Sequence, residues 1–398
     1  MVTDSIFLRK IGLSNYKSIK TASVSLGPLT FLVGQNGAGK SNFLDAPRLV
    51  AEALNTSLEH ALRERGGINE VRRRSSGHPT HFGIRLDWRL PDGTQGIYVF
   101  RVGAQPKGGF EVQQEMCRVY RDDQIVEACY RIENGQHVSS SDKVWPPIAR
   151  DRLYLVAAAG LPEFRPLYNG LSHMGFYNLN PDSIRELQPP DPGAVLKRDG
   201  SNLASVLGVL EKQAPGSFER IVEYLSRVVP GIDGIVVRQL GKKETIEFLQ
   251  KVGTNRDPWR FMAENMSDGT LRALGVLTAL FQSSNGGPAR VPFVGIEEPE
   301  AAVHPGAAGV IRDGLRTASR TTQIAITSHS PDLLDEPGIG AESILAVVSR
   351  NGETIIGPVD EAGRSAIRER LYTAGELLRM NQIEPEEAET EQLDLFAD

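Results

Sequence analysis

Gly34 to Ser41 reads GQNGAGKS, a glycine-rich loop closed by a lysine and a hydroxyl residue, directly after the apolar run Leu29 to Val33 and before a helical stretch. In that context the residues are fitted to phosphate. Glycines let backbone N–H groups approach phosphate oxygens, and the start of the following helix favours negative charge. Lys40 reaches β and γ phosphates, and Ser41 offers a hydroxyl to magnesium. Gly34, Asn36, Gly37, Gly39, Lys40, Ser41 and Asn42 are the candidate contacts. Far downstream, VPFVGIEEPE sets Glu297 and Glu298 at the end of an apolar strand. Glu297 is the candidate for the magnesium shell, together with Ser41. Glu298 is the candidate for orienting or deprotonating a water that attacks phosphorus in line.

Two further segments flank that strand. MSDGTLRAL, Met266 to Leu274, opens a helix before it, and TSHSP, Thr327 to Pro331, ends an apolar strand after it. Read singly, Ser267 and Asp268 are a helix cap and His329 is a packed core residue. Read in order with the loop and the paired glutamates, they complete a set of four motifs.

The elements that must position these residues follow from periodicity. Two strands, IFLRKIGLS from Ile6 and TASVSL from Thr21, precede the apolar run at Leu29, and a helix is expected from about Gly39 to Leu54. Period-2 segments Phe82 to Leu90, Gly96 to Val102 and Phe110 to Tyr120, with turn signals at Pro91-Asp92-Gly93 and Asn134-Gly135, predict an antiparallel meander. The middle of the chain turns irregular and proline-rich, then helical from Ser201 to Val229. From Phe261 strands and helices alternate, which predicts a mostly parallel sheet with helices on its faces. The expected segments are 1–150, a first lobe with loop and meander; 151–260, a helical or irregular insert; 261–383, a second lobe; and 384–398, a disordered acidic tail.

At 398 residues the chain has room for two lobes of ordinary size. No apolar stretch approaches the ~18 residues that a membrane-spanning helix needs. Nor does a charged-then-apolar leader follow Met1, so a soluble, cytoplasmic protein is expected. Cys117 and Cys129, the two cysteines, fall on adjacent expected strands and read as free thiols. The net charge of −6 is carried by the tail from Glu384 to Asp398, which has no lysine or arginine, so the body is close to neutral.

The order of the four motifs resembles the ABC ATPase family, with GQNGAGKS as P-loop, MSDGTLRAL as signature, IEEPE as Walker B and TSHSP as switch histidine. IGLSNYKSIK before the P-loop, and IEEPEAAVHP and TSHSPDLLD after it, resemble the RecF and SMC-like branch. The resemblance implies an α/β ABC ATPase head with a P-loop parallel-sheet core, an antiparallel meander and a helical subdomain. It further implies ATP and Mg2+ as ligands, and a homodimer closed head to tail as an ATP sandwich. Ser267 and Gly269 would then meet the γ-phosphate held by another subunit, while His329 would sense it in cis, so that Glu298, His329 and Lys40 are the expected catalytic residues. Met266, Thr270 and Glu297 depart from the commoner leucine, glutamine and aspartate. No heptad pattern predicts a coiled-coil arm. Chains of this shape are commonly ATPases of bacterial DNA repair or phage defence, where a separate effector can supply a nuclease. A regulatory module controlling such an effector is the alternative, and a transporter subunit a remote one.

The densest basic run carries Arg63, Arg65, Arg72, Arg73 and Arg74. It reads either as a solvated helix face or as a phosphate-contacting surface for DNA. QLDLF at the end of the tail, with Gln392, Leu393, Leu395 and Phe396, resembles the motif by which bacterial repair proteins dock on the sliding clamp. An apolar tail end can also fold onto its own body or onto a partner subunit.

Overall fold

The computed structural model describes residues 7–75, 79–106, 108–121, 125–141, 145–252, 257–283, 290–336, 338–386 and 394–397. Two compact units emerge, one from Met1–Met174, Gly340–Leu371 and Asn381–Asp398, the other from Gly175–Ile339 and Tyr372–Met380. The expected insert 151–260 is therefore not a unit: its start belongs with the first and its remainder with the second.

The first unit opens with β1 (Leu8–Tyr16), β2 (Ile19–Ser25) and β3 (Leu29–Val33), then the helix Lys40–Asn55. The meander supplies β4 (His81–Arg89), β5 (Gln95–Ala104), β6 (Phe110–Arg121), β7 (Ile125–Glu133) and β8 (Gln136–Ser140). All but β3 join one antiparallel sheet in the order β2-β1-β4-β5-β6-β7-β8. Alternation sets which face is buried: Ile11, Leu13, Phe82, Ile84, Leu86, Tyr98 and Phe100 are all withdrawn from solvent. Asn134 and Gly135 take φ of 49° and 77°, as the tight β7–β8 turn requires. Cys117 on β6 and Cys129 on β7 are free.

Two buried carboxyl groups of this unit are held by named partners. Glu115 accepts from Tyr130 Oη at 2.8 Å, Tyr98 Oη at 3.1 Å, and the N–H groups of Tyr154 at 2.6 Å and Leu155 at 2.8 Å. Burial nevertheless pushes its carboxyl upward, and the hydrogen bonds oppose that push. Asp45, on the P-loop helix, accepts from Arg65 Nη2 at 2.8 Å, Tyr16 Oη at 2.8 Å and Arg48 Nη2 at 3.0 Å. Burial works against that carboxylate, but the Arg65 guanidinium outweighs it and holds Asp45 well below the usual range.

The second unit contains β9 (Gly175–Tyr177), β10 (Ile232–Leu240), β11 (Lys243–Gln250), β12 (Trp259–Met262), β13 (Phe293–Glu297) and β14 (Gln323–Ser328). β13 pairs in parallel with both β9 and β14. The expected helix after Ser201 splits into Leu203–Gln213 and Pro215–Val228, because Pro215 cannot donate inside a helix but suits the first turn of a new one. β10, β11 and β12 form an antiparallel sheet where an irregular insert was expected. Its apolar residues pair across strands, Ile235 with Phe248 and Val237 with Ile246. The helix Asp268–Phe281 is buried almost all round, as an apolar sequence on every face demands.

The chain then returns to the first unit with β15 (Ile344–Arg350) and β16 (Glu353–Pro358). β15 lies parallel to β3 and antiparallel to β16. The tail is not wholly solvated, contrary to expectation. Pro385 bridges Val359, Glu386 N–H donates to Pro358 O at 2.8 Å, and Leu395 and Phe396 are buried. Among the described residues no helix is long and apolar enough to cross a membrane.

Candidate active site

In the first unit, β3 ends at Gly34 and the loop to Lys40 is shaped by close approaches that only glycine permits. A Cβ on Gly34 would come within 1.9 Å of Val347 O on β15. Gly39, at φ 103°, would press one within 2.1 Å of Thr354 Oγ1 on β16. Lys40 is buried at the head of its helix, and its Nζ donates to Gly34 O at 2.7 Å and Gln35 O at 2.9 Å. The loop thus closes around an ammonium that its own carbonyls hold. Asn36, Gly37 and Ser41 are exposed.

A layer behind the loop fixes it. Thr354 Oγ1 donates to Ala38 O at 2.8 Å, which uses its one proton, so Ser18 Oγ donates to Thr354 at 2.7 Å. Ser18 in turn accepts from Asn42 Nδ2 at 2.7 Å. Asn42, expected among the ligand contacts, therefore spends an amide proton on this supporting chain. Ser18 stands inside the quoted IGLSNYKSIK and Thr354 in no motif, and neither was anticipated in this role.

In the second unit, β13 delivers Glu297 and then Glu298, which adopts a left-handed backbone at φ 47°. Glu298 N–H donates to Thr327 O at 3.0 Å and to Thr327 Oγ1 at 3.2 Å, so the turn is tied to the end of β14. Two residues on, His329 brings Nδ1 within 3.2 Å of Glu298 Oε1, and both side chains are more than one-third exposed. Glu297 Oε1 accepts from Arg198 Nη2 at 2.8 Å. Glu300 is buried, accepting from Ser328 Oγ at 2.6 Å, with Oε2 left without a partner. Burial pushes the Glu300 carboxyl upward against that hydrogen bond.

The helix Asp268–Phe281 starts at Ser267, whose hydroxyl accepts from Thr270 N–H at 3.3 Å and pairs with Thr270 Oγ1 at 2.9 Å. The helix-cap reading of Ser267 is thus correct as geometry, and Ser267 and Asp268 remain exposed. Gly269 lies against the loop after Walker B, since a Cβ there would come within 2.3 Å of Ala302 O. One turn on, Arg272 donates from Nη1 to Leu179 O at 2.9 Å and from Nη2 to the carbonyls of Glu297 at 3.2 Å and Glu298 at 3.1 Å. Burial lowers the Arg272 guanidinium, and the charges of Glu298, Glu300 and Glu297 resist. Arg272 stands inside the quoted motif, but nothing in the spacing told what it would grip.

Two solved structures share this architecture. One is an SmcHead bound to the C-winged helix domain of ScpA, 15% identical, with a TM-score of 0.56 over 88% of this chain and 97% of that one. The other is the Smc head domain with an extended coiled coil bound to the C-terminal domain of ScpA, derived from Pyrococcus furiosus; it is 14% identical, with a TM-score of 0.54 over 92% and 99%. The fold is that of an Smc head domain. Residues 178–335 match the family described as "AAA domain, putative AbiEii toxin, Type IV TA system". That span contains MSDGTLRAL, IEEPE and TSHSP. No curated protein matches the chain in sequence.

The basic run of this head does not form one surface. Arg65 is 2% exposed in its side chain and grips Asp45 and Glu52, so it is a structural residue and not the phosphate contact expected of it. Arg72 donates to Asn69 Oδ1 and Pro79 O, and Arg73 to Glu353 Oε2, both half-buried. Arg63 and Arg74 are exposed, with Arg74 paired to Glu70 on the short helix Ile68–Val71 that precedes it. In the tail, Gln392 and Leu393 lie outside the described residues, while Leu395 and Phe396 are packed against the first unit.

Proposed function

We propose that this head binds ATP with magnesium and hydrolyses it when two copies close head to tail. The observation that supports this best is the contact of Glu298 with His329 in a unit whose exposed helix start, at Ser267, is free to face a second copy. The residues of the first unit fit a triphosphate: a glycine loop with no room for a Cβ at Gly34 or Gly39, a lysine held at its centre, and an exposed Ser41. Ser41 and Glu297 would hold the magnesium, with Glu297 giving up Arg198. The metal, when bound, would neutralise charge on the β and γ phosphates.

Lys40 exchanges its contacts with Gly34 O and Gln35 O for phosphate oxygens. Glu298 accepts the proton of a water whose oxygen forms the new bond to the γ-phosphorus, as the bond to the bridging oxygen breaks. His329 fixes the Glu298 carboxylate through Nδ1 and faces the γ-phosphate. Ser267 and Gly269 meet the γ-phosphate of the other copy.

The ATP-bound dimer acts on or senses DNA, with hydrolysis resetting it, in repair or in defence. Arg63 and Arg74 are the exposed cations of the basic run through which phosphate contact would occur. The tail, through Gln392, Leu393, Leu395 and Phe396, would dock on a sliding clamp. A second reading is favoured by the toxin and antitoxin wording of the matched family: a regulatory ATPase whose slow turnover times a separate effector nuclease, without acting on DNA itself. DNA-stimulated hydrolysis separates the first reading from the second.

Complementation tests the sandwich. Neither Lys40→Ala, which loses the phosphate contact, nor Ser267→Arg, which blocks the partner's site, should hydrolyse ATP alone. Mixed equally, they form dimers with one intact site of two, so about a quarter of the wild-type rate should return. A mixture no more active than its parents, or a Ser267→Arg chain as active as wild type, refutes the sandwich.

A further inference from the structure

The end of the chain rests on a face of the meander sheet. Leu395 is 1% and Phe396 8% exposed, and they close a cluster with Val99 and Met116, against which Ile97 packs. Val99 and Met116 are cross-strand partners on β5 and β6, and Arg85 on β4 stands opposite Val99. The receiving face thus crosses three strands. Its apolar floor has a basic rim: Arg85 Nη1 donates to Leu395 O at 3.1 Å and also to Ala397 O, and the Arg101 guanidinium lies 5.3 Å from the centre of the Phe396 ring. The tail meets it as one compact turn, with Phe396 N–H donating to Asp394 Oδ1 at 3.0 Å and Ala397 N–H to Asp394 O at 3.2 Å.

We propose that this face of β4, β5 and β6 is a peptide-binding groove, and that its ligand is the chain's own Asp394 to Ala397. Floor and rim match what this turn offers. Leu395 and Phe396 fill the apolar centre, backbone carbonyls meet the Arg85 guanidinium, and the ring lies under Arg101. Gly83 makes room for it, because a Cβ there would come within 2.6 Å of Leu395 Cδ1. The groove holds Leu395 and Phe396, two of the three apolar residues of QLDLF, so any other receptor for them sees only the undocked fraction of the chain. Docking therefore sets access to the tail, independently of whether the head hydrolyses ATP.

Binding of a fluorescent peptide spanning Glu389 to Asp398 tests this on full-length protein. A chain carrying Leu395→Ser and Phe396→Ser has an empty groove and should bind the peptide. The wild-type chain should bind it at least about tenfold more weakly, since a short tether presents its own tail at roughly millimolar effective concentration. Adding Gly83→Val to the emptied chain should weaken binding about tenfold or more, by overpacking the Leu395 pocket. A peptide with both serines should not bind. Equal binding by wild-type and emptied chains, or none by the emptied chain, overturns the proposal. Should the emptied chain fail to fold, hydrogen exchange on the wild type decides: amides of Phe396 and Ala397 at least about tenfold slower than in the free peptide support docking, and free-peptide rates overturn it.

Discussion

Replacing Glu298 by glutamine keeps the length of the side chain and its reach to His329 Nδ1, 3.2 Å away, but removes the charge that can take a proton. A positioned general base contributes about 10²- to 10⁴-fold, so Glu298→Gln should cost about 3 to 5 kcal/mol of barrier while leaving ATP binding intact. His329→Ala leaves the base in place and removes one hydrogen bond to a charged group, a loss of about 1.5 to 3 kcal/mol and so about ten- to 150-fold. The two act through one carboxylate, so the double variant should be no slower than Glu298→Gln alone. Phosphate release at saturating ATP measures the rates, and a fluorescent ATP analogue checks binding. Glu298→Gln within threefold of wild type, or His329→Ala slower than Glu298→Gln, would refute the assignment of the base.

Arg65→Ala should destabilise the first unit by about 1.5 to 3 kcal/mol, because Asp45 loses its bidentate partner but keeps Arg48, Lys17 and Tyr16; no measurable fall in melting temperature would contradict the buried pair. Asp45 is held below its usual range when folded, so its contribution is complete above about pH 3.9 and is lost as pH falls further; an acid melt of wild type against Asp45→Asn measures it. Arg63→Glu with Arg74→Glu should weaken DNA binding across sequences and flatten its salt dependence, whereas unchanged affinity over a salt series returns both to the solvated surface. Arg198→Ala frees the Glu297 carboxylate from a half-exposed pair worth at most about 1 kcal/mol, so the magnesium needed for half-maximal hydrolysis should fall by no more than about fivefold; a rise would count against Glu297 as a ligand.

How much of this the sequence disclosed follows the range of the interactions involved. β3 and the helices at Lys40 and Asp268 were legible because local periodicity and a glycine or serine boundary specify each one. The sheet of β10 to β12 was missed because Ile232 to Leu240 mixes buried and exposed residues irregularly, and a register shift between Ile232 and Gly234 breaks the period of two. Arg65 misled for a different reason. Composition counts it with Arg63 and Arg74, but Asp45 lies twenty residues earlier, and only folding shows that one arginine faces inward. Leu395 and Phe396 were legible as apolar anchors, with the chain's own body among the places they could fold onto, but the sequence did not say which face would receive them.

The turn at Glu298 shows what the fold adds to the motif. A glutamate at φ 47° occupies backbone space that costs a residue with a side chain about 1 to 3 kcal/mol, and it persists only where the surroundings over-determine it. Here they do so from two directions. Its N–H is taken by the carbonyl and hydroxyl of Thr327 on β14, and its carbonyl by Arg272 from the signature helix. A hydrogen bond from a charged donor contributes about 1.5 to 3 kcal/mol, enough to offset the strain by itself. The carboxylate is therefore aimed by its backbone, and His329 adjusts a side chain whose direction is already set. The same guanidinium also grips Glu297 O and Leu179 O, so no displacement of the helix start at Ser267 can leave the Glu298 turn unaffected unless Arg272 lets go.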